Sequence, residues 1–509
     1  MDCQPAQWTY PSLMRTVLSI IGLHICISVI FLFPLLQGFT THIPAGDGSH
    51  DGYQFLWNLW WVRMVVEGND SLLYTHYLFA PHGTPLALHS LSASNGFLSL
   101  PIQYLFNDHT GLIAALNILT LSHFVFLSTM IHALCRKLEC SHIIGLTAGI
   151  LIAYLPYRIH HLHHLNLLST GWLVLAIYAL IELKEQTKPI IPASLLTLST
   201  TSLVYADHEQ SLCLGIIGVI FCIAYRNVLP IKALFFSALA TLSLTLPMWT
   251  TLISFPTSDF LTTSGQIFST NIPSLLFPIS IENIGFNHQD PYIESQIGWV
   301  FWIFIFLGVQ RFSSYHRLFL GLSAIFGLLS LGNALQLGDS TFDIPLPFDI
   351  VHNGWLSIAR APVRFLPVAL LLVVLVCAQG WKNRTQWAQW LMLIYVIATR
   401  YPQSIPMETI EVPPSVFTLS YDKRPYAVWS TKESYTSIQK DMFFQTIHGH
   451  PISGGYTARI WKPAHRWKQN LSKQSIQEFG KHGFGLIVTS GTIHPQQWIT
   501  TPFGEEPKD

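Results

Sequence analysis

Charge is what this chain has least of. Only 11% of its 509 residues are Asp, Glu, Lys or Arg, where a soluble domain carries about 25%. Hydrophobic residues make up 50%, and mean hydropathy is +0.39. The scarcity of charge excludes an ordinary soluble domain and marks an integral membrane protein. Basic and acidic residues balance at 27 each, for a formal net charge of +0, so nothing points to nucleic acid as a partner. Cysteine is sparse too. Cys3, Cys26, Cys135, Cys140, Cys213, Cys222 and Cys377 fall in predicted spans, short basic loops or the N-terminal tail. No disulfide framework is expected from that placement, and Cys135 with Cys140 lacks the further ligands of a zinc site. The chain has no Walker loop, Gly-x-Ser-x-Gly, His-Glu-x-x-His or Rossmann fingerprint, so ATP-driven and serine-hydrolase chemistry find no support. It also shows no internal repeat, which weakens an inverted-repeat transporter reading.

What fills the chain is apolar sequence in long runs. Hydropathy predicts about eleven transmembrane helices, near 16–36, 111–135, 141–157, 167–183, 190–206, 210–225, 231–254, 297–310, 318–336, 365–381 and 386–400. The fold class is mainly α, a polytopic helical membrane protein. The first span lacks a small-residue cleavage site and reads as a retained helix. Sixteen Trp and 32 Phe suit a chain with many membrane interfaces. Arg136/Lys137, Lys184/Lys188, Arg226/Lys232, Arg311/Arg317 and Lys382/Arg384 occupy alternate short loops. By the positive-inside rule these loops are cytoplasmic, which places the N-terminus inside and the C-terminus outside. A membrane domain over 1–400 is expected, with a long first outer loop at 37–95. The tail, 401–509, reads as a small extracytoplasmic α/β region.

The outer loops hold the polar groups. Asp47 and Asp51 lie in Gly46-Asp47-Gly48-Ser49-His50-Asp51, just after the first span. Its glycines predict a loop that brings two carboxylates to the membrane face, where one can act as a general base; the plainer alternative is a wet acidic loop. Tyr53 to Trp61 predicts an amphipathic interfacial helix, and Phe97–Phe106 an interfacial or re-entrant piece. Four histidines crowd Pro156-Tyr157-Arg158-Ile159-His160-His161-Leu162-His163-His164. On a helix His161 and His164 are neighbours. The cluster can contact substrate or simply form a polar lip between spans. Asp207 and Glu209 end the fifth span; they add to a site, hold a divalent cation, or mark a solvated turn. Arg360 and Arg364 sit before the tenth span, against the positive-inside trend. Guanidinium there suits a phosphate or diphosphate, or snorkels. In the tail, Gly454 and Gly455 allow a tight turn, which is either structural, the favoured reading, or brings Tyr456 and Arg459 over the membrane domain.

Taken together these motifs resemble the GT-C superfamily of membrane glycosyltransferases, and within it a set of bacterial multispan proteins. The resemblance rests on the acidic first loop with Trp57-x-x-Trp60-Trp61, and on Leu78-Phe79-Ala80-Pro81-His82-Gly83. It rests also on Pro156-Tyr157-Arg158 with His161, His164 and Asn166, on Arg360-Ala361-Pro362-x-Arg364, and on the tail from His448-Gly449 to Arg459. It implies a polyprenyl-phosphate-type sugar donor, a bacterial inner membrane, and transfer on the outer face to an envelope glycan, lipid or protein. It implies Asp51 as first choice of catalytic carboxylate and Asp47 as second. It also implies phosphate contacts from Arg360 and Arg364, and a cavity lined by Arg158, His161 and His164. The first loop reads Asp-Gly-Ser-His-Asp in place of an adjacent acidic pair, so the choice between the two acids stays open. Metal dependence stays open as well, since the superfamily varies. Two rivals remain: a transporter or flippase of a lipid-linked or small substrate, and a non-catalytic envelope assembly factor.

Overall fold

The computed structural model describes residues 10–45, 51–185, 188–261, 268–276, 295–309, 314–338, 340–349, 359, 361–402, 404–422, 427–430, 435–471, 484–489 and 492–493. Asp47 and Arg360 lie outside the described residues.

A helix stands at each of the eleven predicted spans. Six are long and apolar enough to cross a membrane: Met14–Phe31, His109–Lys137, Leu165–Glu185, His208–Tyr225, Ile231–Ser254 and Pro362–Trp381. Four shorter apolar helices join them, His142–Ala153, Ile190–Ala206, Trp299–Gly308 and Tyr315–Ser330, and Gln386–Arg400 is the eleventh. Their ends follow local sequence. Asp108, Ser141, Asp207 and Thr385 each accept a backbone N–H at a helix start, satisfying donors the helix itself leaves open. Arg136 and Lys137 occupy the last turn of His109–Lys137, where cations offset the helix dipole. Small residues let the helices approach closely. A Cβ on Gly149 would lie 2.6 Å from the Ser128 carbonyl oxygen.

Among the described residues the buried apolar side chains form two cores. One fills the helix bundle, from Phe31 and Leu127 through Ile150 and Leu180 to Phe304 and Leu372. The other joins the first loop to the tail, with Trp57, Trp61 and Leu78 packed with Met442, Phe443 and Ile452. Backbone pairing reinforces that second union. The strand His42–Pro44 runs antiparallel to Met407–Thr409, with His42 opposite Thr409. Phe79 and Ala80 donate to the carbonyls of Gly454 and Ile452 at 3.1 and 3.0 Å. A Cβ on Gly455 would come within 3.1 Å of Leu78 and 3.2 Å of Phe79, so glycine permits the tail to lie flat on the loop. In the tail, Ala427–Ser430 pairs in parallel with Phe484–Thr489, which pairs antiparallel with Thr492–Ile493.

Two local expectations are corrected. The helix Asp51–Val66 is not amphipathic: every residue from Asp51 to Val62 is buried. Aromatics at 53, 55, 57, 60 and 61 spread around the helix, and its polar Gln54 and Asn58 are buried as well, Asn58 donating to the Ser90 carbonyl at 2.8 Å. It packs between Tyr435–His448 of the tail and the helices Ala93–Phe106 and His109–Lys137. The histidine stretch is not one helix either. Pro156 opens a short helix that ends at His160, and a turn follows, closed by the His164 N–H on the His161 carbonyl at 2.9 Å.

Candidate active site

Asp51 begins its helix and is 9% exposed. A carboxylate suits that position, because the first turn of a helix presents unpaired N–H groups and the positive end of the dipole. Both carboxylate oxygens have donors. His164 Nε2 lies 2.8 Å from Oδ2, and Gln439 Nε2 donates to Oδ1. His164 in turn meets His161, Nδ1 to Nδ1, at 3.2 Å. An ionised carboxylate only accepts, so His164 carries its hydrogen on Nε2. With His164 neutral, its Nδ1 accepts from His161 Nδ1–H. The turn thus brings His161 and His164 together as expected, by a different local geometry. Asp51 ends the chain.

Arg158 takes another course. It is 2% exposed and donates to the carbonyls of Ala153, Leu168 and Leu167 and to Thr170 Oγ1, at 3.1, 3.2, 3.5 and 3.0 Å. Its guanidinium lies over the Phe124 ring, 5.0 Å from the centroid. Burial pulls its pKa down to about 9, which leaves it charged at neutral pH. Arg158 therefore ties together the turn that carries the histidines.

Asp207 and Glu209 lie on the wall of a cavity of ≈ 40 Å³ that Asn166, His89, Arg364 and Arg459 also line. Asp207 caps the helix His208–Tyr225, with Oδ1 accepting Gln210 N–H at 2.8 Å, and Oδ2 accepts Asn166 Nδ2 at 2.7 Å. Burial, with the Glu209 carboxylate as the second cause, pushes Asp207 above the usual carboxylate range. Glu209 accepts Arg364 Nη1 at 2.7 Å and the Ala361 N–H at 3.3 Å. Asp51 is not in the wall of this cavity. The short run His164–Asn166 links the two centres: His164 holds Asp51, and Asn166 holds Asp207.

Sequence reasoning passed over two members of this region. His89 accepts the Ala458 N–H on Nδ1 at 3.1 Å and meets Asn58 Oδ1 through Nε2 at 2.9 Å. It joins first loop, buried helix and tail at the cavity wall. Gln439 is the other. Neither carries a local signal, since each is a single polar residue whose partners lie far along the chain. Arg459, flagged with the glycine turn, does reach the cavity.

A divalent cation has no ready ligand set here. Among the described residues no three His, Cys, Asp or Glu side chains converge on one point. Asp207 is taken by Asn166 and a helix cap, and Glu209 by Arg364.

No protein-family model matches this sequence, and no curated protein matches it. The fold is similar to solved structures of the Archaeoglobus fulgidus oligosaccharyltransferase. The apo form has 10% identity and a TM-score of 0.44, over 86% of this chain and 64% of that one. The complex with Zn and sulfate has 12% identity and a TM-score of 0.45, over 86% and 62%. The complex with an inhibitory peptide and a dolichol-phosphate has 10% identity and a TM-score of 0.41, over 87% and 65%. This chain thus spans less than two thirds of the length of those proteins. At such TM-scores the likeness carries no residue-by-residue correspondence.

Proposed function

We propose that this protein is a membrane glycosyltransferase that moves a sugar from a polyprenyl-phosphate-type donor to an envelope acceptor on the outer face. One observation carries the reading. A buried carboxylate, Asp51, is fixed by two side-chain donors from opposite parts of the chain, and the run His164–Asn166 links it to a cavity whose lining includes Arg364 and Arg459. Outside the cytoplasm there is no supply of nucleotide sugars, so a lipid phosphate must bring the activated sugar. Such a reaction needs a base for the acceptor and cations for the departing phosphate.

In this reading Asp51 takes the proton of the acceptor hydroxyl. The acceptor oxygen bonds to the anomeric carbon as the bond from that carbon to the phosphate oxygen breaks. The electron pair leaves with the lipid phosphate, and the proton stays on Asp51. Arg364 offers nitrogens other than the one bound to Glu209, and Arg459 faces the same cavity. His164 and His161 keep Asp51 oriented. Arg360, four residues before Arg364, and Asp47, four before Asp51, keep the roles the resemblance implies. No step is assigned to a metal ion.

The test compares a deletion strain complemented with wild type against one complemented with Asp51→Asn, at matched membrane abundance. Mass spectrometry of envelope glycans and polyprenyl-linked sugars is the readout. Transfer should fall by about 10²- to 10⁴-fold, the usual range for loss of a general base. A lipid-linked sugar should accumulate, and its mass names the donor. Equal glycan patterns in the two strains would refute Asp51 as base, and Asp47 or a non-catalytic role would then lead.

A further inference from the structure

Two glutamines clamp the tail to the buried first-loop helix. Gln439 and Gln445 lie in Tyr435–His448. Their partners, Asp51 and Trp57, lie in Asp51–Val66. The members of each pair stand six residues apart, so the two helices run side by side in the same direction at the contact. Gln445 is satisfied at both ends of its amide. Its Oε1 accepts Trp57 Nε1–H at 2.7 Å, and its Nε2 donates to the carbonyls of Tyr77 and His450 at 2.7 and 2.9 Å. That is what a structural glutamine does.

Gln439 differs. It is 0% exposed. Its Nε2 donates to Asp51 Oδ1, and because a carboxylate only accepts, the amide orientation is fixed. Its Oε1 is buried and has no hydrogen-bond partner among the described residues. A buried acceptor left alone is costly. This one hangs on the same amide that grips the candidate base, so it lies one amide group away from Asp51. A group that binds there must bring a donor, which an acceptor hydroxyl or amide N–H supplies.

We propose that Gln439 is a positioning residue for the transfer: its Nε2 fixes the Asp51 carboxylate, and its Oε1 receives the hydrogen-bond donor of the acceptor. The C-terminal tail then completes the active site. This rests on the reading of Asp51 as base.

The test uses the full-length protein in detergent-opened membrane vesicles carrying the host's own polyprenyl-linked sugars. Loss of the lipid-linked sugar is followed by mass spectrometry from mildly acidic to mildly alkaline pH, with turnover normalised to folded protein. Gln439→Leu keeps the shape and removes both contacts; turnover should fall about 10- to 100-fold, as for loss of a hydrogen bond to a charged group. Gln445→Leu is the structural control. It should lower thermal stability and leave turnover per folded molecule near wild type.

Gln439→Glu separates positioning from packing. In acid the two carboxyls share one proton. The protonated Glu then donates to Asp51 as the amide did, and its carbonyl oxygen still faces the acceptor. In alkali both are ionised and repel. Activity of Gln439→Glu should therefore recover toward wild type in acid and vanish in alkali, while Gln439→Leu shows no such rescue. If Gln439→Glu follows Gln439→Leu at every pH, or if Gln439→Leu turns over like wild type, the inference is wrong. In either case Asp51→Asn, run alongside, tells whether the reading of the base has failed as well. An inactive Asp51→Asn with a fully active Gln439→Leu sinks only the role of Gln439.

Discussion

Two chains of three polar groups run through this molecule at nearly the same spacing. At the first-loop end, His161, His164 and Asp51 are linked at 3.2 and 2.8 Å. Elsewhere in the bundle, His24, His132 and His142 are linked at 3.1 and 3.2 Å. The second chain joins the first helix, Tyr10–Phe31, to His109–Lys137 and His142–Ala153. Its members are all imidazoles, so each can donate or accept and no end of the chain fixes a direction. The first chain ends on a carboxylate that only accepts, and this orients every hydrogen before it. Residue type and spacing are shared; the terminal group makes the difference. A histidine cluster alone is therefore no sign of a site in this protein.

That contrast is open to direct attack. His164→Phe keeps a ring in the space and removes one donor to Asp51. Turnover should fall about tenfold or more, with little change in membrane abundance. A variant with wild-type turnover would show that the carboxylate-ended chain matters no more than the other. His132→Phe makes the reciprocal test. It breaks both links of the all-imidazole chain and leaves two partners unpaired, at a cost of about 1–3 kcal/mol. Thermal unfolding should register the loss, and turnover per folded molecule should not change. If turnover collapses while stability holds, the second chain has a chemical role that the comparison denies it.

The spans were legible because burial in lipid demands long apolar helices with their backbone bonds made internally, and hydropathy reads that demand directly. The site was legible in part. Asp51, His161 and His164 carry their signal locally, as polar residues crowded where spans end. Asp207, Glu209 and Arg364 do the same, and they meet at one cavity. Arg158 shows where local reading stops. A cation among histidines looks like a ligand group, but the chain turns back on it, and the carbonyls of Leu167 and Leu168, nine and ten residues on, engage its guanidinium. The helix Asp51–Val66 was misread for a similar reason. Its exposure depends on a tail nearly 400 residues away, which hydropathy cannot place. Gln439 and His89 were invisible on the same ground.

His448 offers a third histidine environment and the smallest expected effect. It is buried in the tail, with no carboxylate partner among the described residues, and its Nδ1 accepts the His450 N–H at 3.0 Å. Burial, with His450 as the lesser cause, lowers its pKa from 6.5 to about 3. The folded state thus refuses a proton that the unfolded chain accepts below about 6.5. In that window the unfolded state binds more protons, so stability falls as pH drops from about 6.5 toward about 3. His448→Asn keeps an acceptor for the His450 N–H and does not titrate. Its thermal midpoint should decline less than wild type over that window, and the two should run parallel above it. Identical slopes in acid would mean that His448 is already protonated when folded. The distinction between imidazoles that face a carboxylate and those that face only neutral groups would then lose its clearest case.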